Sequence, residues 1–303
     1  MLPIVIEGAS GSSKVMALPD TGSDHNIISL GVLRDLGLEM EELGDTFFRV
    51  SIANGKILEA VGQITISFGF AGVLGSPKEE LSSSAHFFVL SKLAVPVIVG
   101  RDLLEETQTF TKHRHRLTPE VEPVLQCMSL TSLSQPRRDL CCRLNGNIGY
   151  ATADTGSDLD LVSPEFAKSK GFEIEPAYEK VQFADGSYGV TCGVIPSIFA
   201  IGRQDAANND VFMQKGASIQ RDFYVLESLT SEILVGLDTL EKLRVYDSCS
   251  DSLVRRMSVL SFADANIIRY IGTVEYLVKE ASRKMKKKQA SKKESPQPKG
   301  EPS

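Results

Sequence analysis

Apolar and polar residues alternate with a period of two along much of this chain, in short runs bounded by Gly, Asn and Ser clusters. Ile64-Thr65-Ile66-Ser67-Phe68 and Val194-Ile195-Pro196-Ser197-Ile198 are typical. Such runs predict half-buried strands rather than helices. Continuous apolar triplets, Val97-Ile98-Val99 and Ile233-Leu234-Val235, punctuate the alternation, and each ends in glycine. Asn54-Gly55 and Asp185-Gly186 carry the strongest hairpin signals, and a type I′ turn with positive φ at both central residues is expected at each. Helical spacing is confined to short stretches, and the pattern predicts a chain built mainly of β-strands.

The pattern occurs twice. Asp20-Thr21-Gly22-Ser23-Asp24 returns as Asp154-Thr155-Gly156-Ser157-Asp158, and Asn26 to Ser29 as Asp160 to Ser163. The hairpin stretch Val50–Lys56 returns as Val181–Ser187, and Phe87-Phe88-Val89-Leu90 as Phe223-Tyr224-Val225-Leu226. The late segment Val97–Leu104 returns as Ile233–Leu240. Gly100 lies 80 residues after Asp20 and Gly236 lies 82 after Asp154. Five matched segments in one order at nearly equal spacing identify an internal duplication. A short helix is expected after each Asp-Thr-Gly and after each late glycine.

These landmarks divide the chain into an N-terminal lobe (1–112), a linker (113–138), a C-terminal lobe (139–248), a helical extension (249–282) and a basic tail (283–303). The linker carries no strand pattern and is rich in proline, serine and threonine. Residues Gly202–Asp210 read as a polar loop. Ile267, Ile271, Val274 and Val278 follow helical spacing, and the tail has the composition of a disordered segment.

Charge and cysteine usage narrow the function classes. The 303 residues carry a formal net charge of −6, so nucleic acid is not an expected partner. No stretch reaches the roughly 18 apolar residues of a membrane span. The first residues have neither the basic nor the apolar region of a secretory signal. Five cysteines, an odd number with Cys141 and Cys142 adjacent, suit reduced thiols better than a disulfide framework. A cytoplasmic or nuclear location is expected. Neither metal nor cofactor spacing is present.

The duplicated acidic turn has a chemistry of its own. Two carboxyl groups brought close together cannot both ionise cheaply and share a proton. The ionised member activates a water while the protonated one bonds the carbonyl under attack. Asp20 and Asp154 are the candidates. Thr21 and Thr155 can bond across a two-fold axis, Gly22 and Gly156 allow close backbone approach, and the Ser23 and Ser157 hydroxyls are expected to donate to the carboxylates.

In these motifs the chain resembles the retropepsin-like branch of the aspartic peptidases, with Asp-Thr-Gly, a flap hairpin and a late apolar-apolar-Gly segment in each of two lobes. The resemblance covers roughly residues 1–110 and 139–247. It implies an all-β fold of two closed β-barrel lobes fused in tandem as a pseudo-dimer, and an aspartic endopeptidase acting on polypeptides without a cofactor. It further implies flaps built on Ala53, Asn54, Gly55, Ala184, Asp185 and Gly186, with Tyr188 beside the substrate. Gly100 and Gly236 would back the turns, and Asp24 would pair with Arg101. Asp158 faces Leu237 and lacks that partner. Pro19 directly precedes Asp20 and removes one strand donor. Two other readings stay open: a silent module that grips extended peptides, and a retroelement-derived assembly protein. A monomeric pseudo-dimer is expected, with a lobe-swapped dimer as the variant the linker permits.

Overall fold

The computed structural model describes residues 1–43, 48–71, 83–119, 124–132, 137–205 and 211–256. The predicted helix over 267–278, most of the helical extension and the basic tail lie outside the described residues, as do positions 206–210 of the expected polar loop. Met1–Arg256 form one compact unit.

In the first lobe, β1 (Leu2–Gly8), β2 (Gly11–Pro19), β3 (Ile27–Ser29), β4 (Arg49–Ile52), β5 (Ile57–Glu59), β6 (Gly62–Phe70), β7 (Ser83–Leu90) and β8 (Val97–Val99) follow in order. Helices α1 (Leu30–Asp35) and α2 (Arg101–Glu106) come after β3 and β8. Between the lobes run β9 (Leu125–Cys127) and β10 (Leu130–Ser132). The second lobe holds β11 (Arg137–Leu144), β12 (Asn147–Ala153), β13 (Asp160–Val162), β14 (Lys180–Phe183), β15 (Tyr188–Val190), β16 (Gly193–Gln204), β17 (Phe212–Val225) and β18 (Ile233–Val235). Helices α3 (Pro164–Ser169), α4 (Leu237–Lys242) and α5 (Val245–Ser248) and strand β19 (Leu253–Arg256) complete it.

Both lobes are closed six-stranded β-barrels. The first has the order β1-β2-β8-β3-β7-β6, and the second repeats it as β11-β12-β18-β13-β17-β16, closed by β11 on β12 and on β16. This bears out the all-β, two-barrel expectation. The α1 and α3 helices start where Ser29 and Ser163 accept the amides of Val32 and Phe166, a side-chain cap for otherwise orphaned donors. Within the stretch read as a helical extension, Leu253–Arg256 form a strand that pairs with Arg137–Leu140 of β11. Gly202–Gln204, read as loop, continue β16.

Each barrel packs its own core, Ile4, Ile66, Phe68, Phe87 and Val97 in the first and Phe199, Phe223, Val225 and Ile233 in the second. A third apolar cluster lies between them and collects Ile27 and Ile98 with Leu161 and Leu234. Strands β3, β8, β13 and β18 are therefore buried on both faces. That is the physical reason Val97–Val99 and Ile233–Val235 are apolar without alternation.

The flap hairpins β4–β5 and β14–β15 turn differently from the type I′ expectation. Only Gly55 and Gly186 have positive φ, +79° each, and Asn54 and Asp185 do not. Gly55 N–H bonds Ile52 O and Ile52 N–H bonds Lys56 O, with the matching pair at Gly186, Phe183 and Ser187. Three-residue loops with a left-handed glycine result. The side chains explain the choice, because Asn54 and Asp185 accept the amides of Lys56 and Ser187 in Asx turns.

Candidate active site

Strands β2 and β12 each run into an Asp-Thr-Gly turn, and the two turns meet between the barrels. Asp20 N–H donates to Val99 O and Asp154 N–H to Val235 O, both at 2.9 Å. The aspartates therefore leave their strands in the same way. Pro19 does not disturb this. N–H directions alternate along a strand, so residue 19 points away from β8, and on that side the register with β1 stops at Leu2 opposite Ala17. Pro19 O is used there by the Thr155 hydroxyl at 2.8 Å.

The threonines interlock as their position suggests. Thr21 Oγ1 donates to Ala153 O at 3.0 Å and accepts Thr155 N–H at 3.1 Å. Thr155 Oγ1 donates to Pro19 O and accepts Thr21 N–H at 2.9 Å. A Cβ on Gly22 would stand 2.7 Å from Asp154 Cγ, and one on Gly156 would stand 2.8 Å from Asp20 Cγ. Each glycine is thus the floor under the opposite carboxyl.

Asp20 Oδ1 accepts the amides of Gly22 and Ser23 at 2.7 and 3.2 Å, and Asp154 Oδ1 accepts Gly156 N–H at 2.8 Å. Both aspartates are fully buried. The turn amides bond only the Oδ1 atoms and leave both Oδ2 atoms without a backbone donor among the described residues. Burial raises both pKas. The charge of Asp20 and the bond between the carboxyls push Asp154 further, while that bond and the turn amides moderate Asp20. The pair titrates as a unit and holds a proton at pH values where an isolated carboxyl would have lost it.

The serines depart from expectation. Ser23 Oγ donates to His25 O and Ser157 Oγ to Leu159 O, both at 2.8 Å. The backbone amides already occupy the carboxylate Oδ1 positions, so the hydroxyls close the turn on a carbonyl two residues ahead instead. Arg101 does reach Asp24, at 2.7 Å. In the second lobe Asp158 accepts the amide of Gln126, and burial still raises its pKa. A different pair takes over there: Arg221 bonds Asp160 at 2.9 Å, and Asp160 holds the Gly236 amide as Asn26 holds that of Gly100.

The flaps close over the turns, and each tip docks on the opposite lobe. Thr230 N–H donates to Ala53 O at 3.1 Å, and Ala94 N–H to Ala184 O at 2.8 Å. Lys56 pairs with Asp185 across the two tips. Partial burial would raise Asp185, but the bonds from Lys56 and Ser187 outweigh it and hold the carboxyl below its usual range. Tyr188 is half exposed, bonds Gln182 at 3.1 Å and lies under the Lys180 ammonium. It stands outside the apolar cluster that lines the cleft.

Comparison with known proteins adds little beyond this geometry. No family model matches the chain, and no curated protein does. Among solved structures, the chain is similar to the retroviral protease-like domain of Ddi1 from Leishmania major. That match has 18% identity, covers 35% of this chain and 74% of the other, and has a TM-score of 0.23. The site has to be judged on its own atoms.

Two features at the site have no sequence signal. Tyr246 OH donates to Thr21 Oγ1 at 2.7 Å, so the threonine network is asymmetric. Leu125–Ser132, in the stretch without strand pattern, lies between the turns and the flaps. Cys127, Met128 and Leu130 there are buried in the shared apolar cluster. Among the described residues no helix is long and apolar enough to cross a membrane.

Proposed function

We propose that this protein is an aspartic endopeptidase of the retropepsin-like type, with one active site made by Asp20 and Asp154. The observation that carries this reading is the symmetric meeting of the two Asp-Thr-Gly turns. It leaves two buried carboxyls in contact with their Oδ2 atoms uncommitted.

Their raised pKas suit a pair that shares one proton, the ionised oxygen drawing a proton from water and the protonated one bonding the scissile carbonyl. Thr21 and Thr155 brace the turns, so the carboxyls do not reorient as charge moves between them. Arg101 with Asp24, and Arg221 with Asp160, anchor the segments behind each turn. The flaps exclude bulk water and hold an extended polypeptide by its backbone.

The test is hydrolysis of a diverse peptide mixture between about pH 4 and 7 by wild type, Asp20→Asn and Asp154→Asn. Loss of either carboxyl is expected to reduce the rate by at least about 10²-fold. Cleavage that survives in both variants overturns the assignment.

A further inference from the structure

We propose that residues 125–132 occupy the cleft as a tethered substrate, and that the Met128–Ser129 peptide bond is the one this chain presents to its own aspartates. This rests on the peptidase reading above.

The stretch belongs to neither copy of the duplication, so the barrels do not need it to close. It is nevertheless held by backbone on both sides. Below it, Gln126 N–H donates to Asp158 Oδ2 at 2.7 Å, Asp158 N–H donates to Gln126 O at 2.9 Å, and Met128 N–H donates to Gly156 O at 3.1 Å. Farther along, Asp24 N–H donates to Leu130 O at 3.1 Å. Above it, Leu125–Cys127 pair with Val181–Phe183 of one flap, and Leu130–Ser132 pair with Val50–Ile52 of the other. A peptide gripped by its main chain between two strands, with side chains sent into pockets, is bound by β-augmentation.

The pseudo-two-fold axis then fixes the register. Asp24 and Asp158 are equivalent residues of the two turns, and each amide holds one carbonyl of the segment. Those carbonyls belong to the 126–127 and 130–131 peptide units, and the unit midway between them is Met128–Ser129. The axis that relates Asp20 to Asp154 therefore passes through this bond. Ser129 is buried, and its side chain lies against Asp154. Cys127, Met128 and Leu130 enter the apolar cluster of both lobes and both flaps. The cleft thus accepts apolar residues on either side of a small polar one.

Hydrolysis there consumes one water. Its hydroxyl joins the carbonyl carbon of Met128, the bond to the Ser129 nitrogen breaks, and the dyad passes a proton to that nitrogen. The products are a carboxylate on Met128 and a new amino terminus at Ser129, each still attached to a folded lobe. Until that cut, an added peptide must displace a segment that is present at the high effective concentration of a tether.

The experiment uses the full chain, the same chain with Asp154→Asn, and a chain in which residues 124–132 are replaced by Gly and Ser at equal length. All are incubated at mildly acidic pH and followed by intact mass and amino-terminal sequencing. The peptide Val124–Ser132 is also given in trans to the Gly/Ser chain. Expected are a new terminus at Ser129 in wild type only, and cleavage of the added peptide at the same bond. If the Gly/Ser chain cuts other peptides while wild type stays intact, the tethered-substrate proposal is overturned and the peptidase reading stands. The same holds if wild type is cut elsewhere. If no chain cuts any peptide, both fall.

Discussion

Replacing Thr21 by valine keeps the shape of the side chain and removes one hydroxyl from a buried network. That hydroxyl donates to Ala153 O and accepts from Thr155 N–H and Tyr246 O–H. Thr155→Val strands only two groups, Thr21 N–H and Pro19 O. A buried polar group left without a partner costs roughly 1–3 kcal/mol. The two substitutions should therefore differ by about one such group, with Thr21→Val the worse. Because the Tyr246–Thr21 bond is only partly buried, the difference lies in the lower part of that range, roughly 1–2 kcal/mol. For a unit of this size that corresponds to about 2–8 °C in Tm. Thermal and urea unfolding followed by circular dichroism measure the difference. Tyr246→Phe removes the third partner, so in that background the two valine variants should become equally costly. Coupling between Thr21 and Tyr246 in the double-mutant cycle is then at least about 0.5 kcal/mol. Equal losses in the native background, or an additive cycle, would refute the argument that Tyr246 makes the brace asymmetric.

The remaining expectations are shorter. Because burial raises both Asp20 and Asp154, their contribution to stability is full below the unfolded value of about 4 and is lost as pH rises through the folded values. Wild type should therefore lose stability relative to Asp154→Asn between about pH 4 and neutrality, and a pH-independent difference in urea midpoints would contradict this. Peptide hydrolysis should decline over the same rise in pH, as the shared proton is lost; a maximum above about pH 8 argues against the dyad. Arg101→Met leaves the Asp24 carboxylate, whose side chain is only 3% exposed, without its cation. It should cost roughly 2–4 kcal/mol by urea unfolding, somewhat less than for a pair with both members fully buried. Lys56→Met breaks the pairing of the flap tips with Asp185. It should raise KM about two- to fivefold at low salt, and an unchanged KM would show that the tips do not need this contact. Because the Asp185 side chain is only 5% exposed but still bonds the Ser187 amide and hydroxyl, stability should fall by roughly 1–2 kcal/mol.

Much of this architecture was legible in the sequence because its signals are local. Alternating runs, apolar triplets and Asn-Gly or Asp-Gly steps report strand faces, doubly buried strands and hairpins within a few residues. The duplication then repeats each signal and requires the two lobes to share one arrangement of strands, which the structure supplies. The positions of Asp20, Thr21, Asp154 and Thr155 follow from that repeat, whereas the pairing of Asp24 with Arg101 was implied only by the family resemblance, since the repeat places Leu237 opposite Asp158. Even so, local chemistry had a limit at the flaps, where an Asx bond chose a three-residue loop over the tighter turn that the same dipeptide also permits.

Only the tertiary structure decided where polar groups with several available partners would bond. The Ser23 and Ser157 hydroxyls lost the carboxylates to backbone amides of the same turns, a competition that residue types alone do not rank. Arg221 reached Asp160 from a strand 61 residues away, and Tyr246 reached Thr21 across 225. Residues 125–132 are the strongest case. Gln-Cys-Met-Ser-Leu-Thr has no period that marks it as strand. It becomes extended and buried because two turns and two flaps, none of them its sequence neighbours, offer unpaired backbone groups on either side. Burial of a short segment is a property of the cavity that receives it, and that cavity exists only once both lobes have folded.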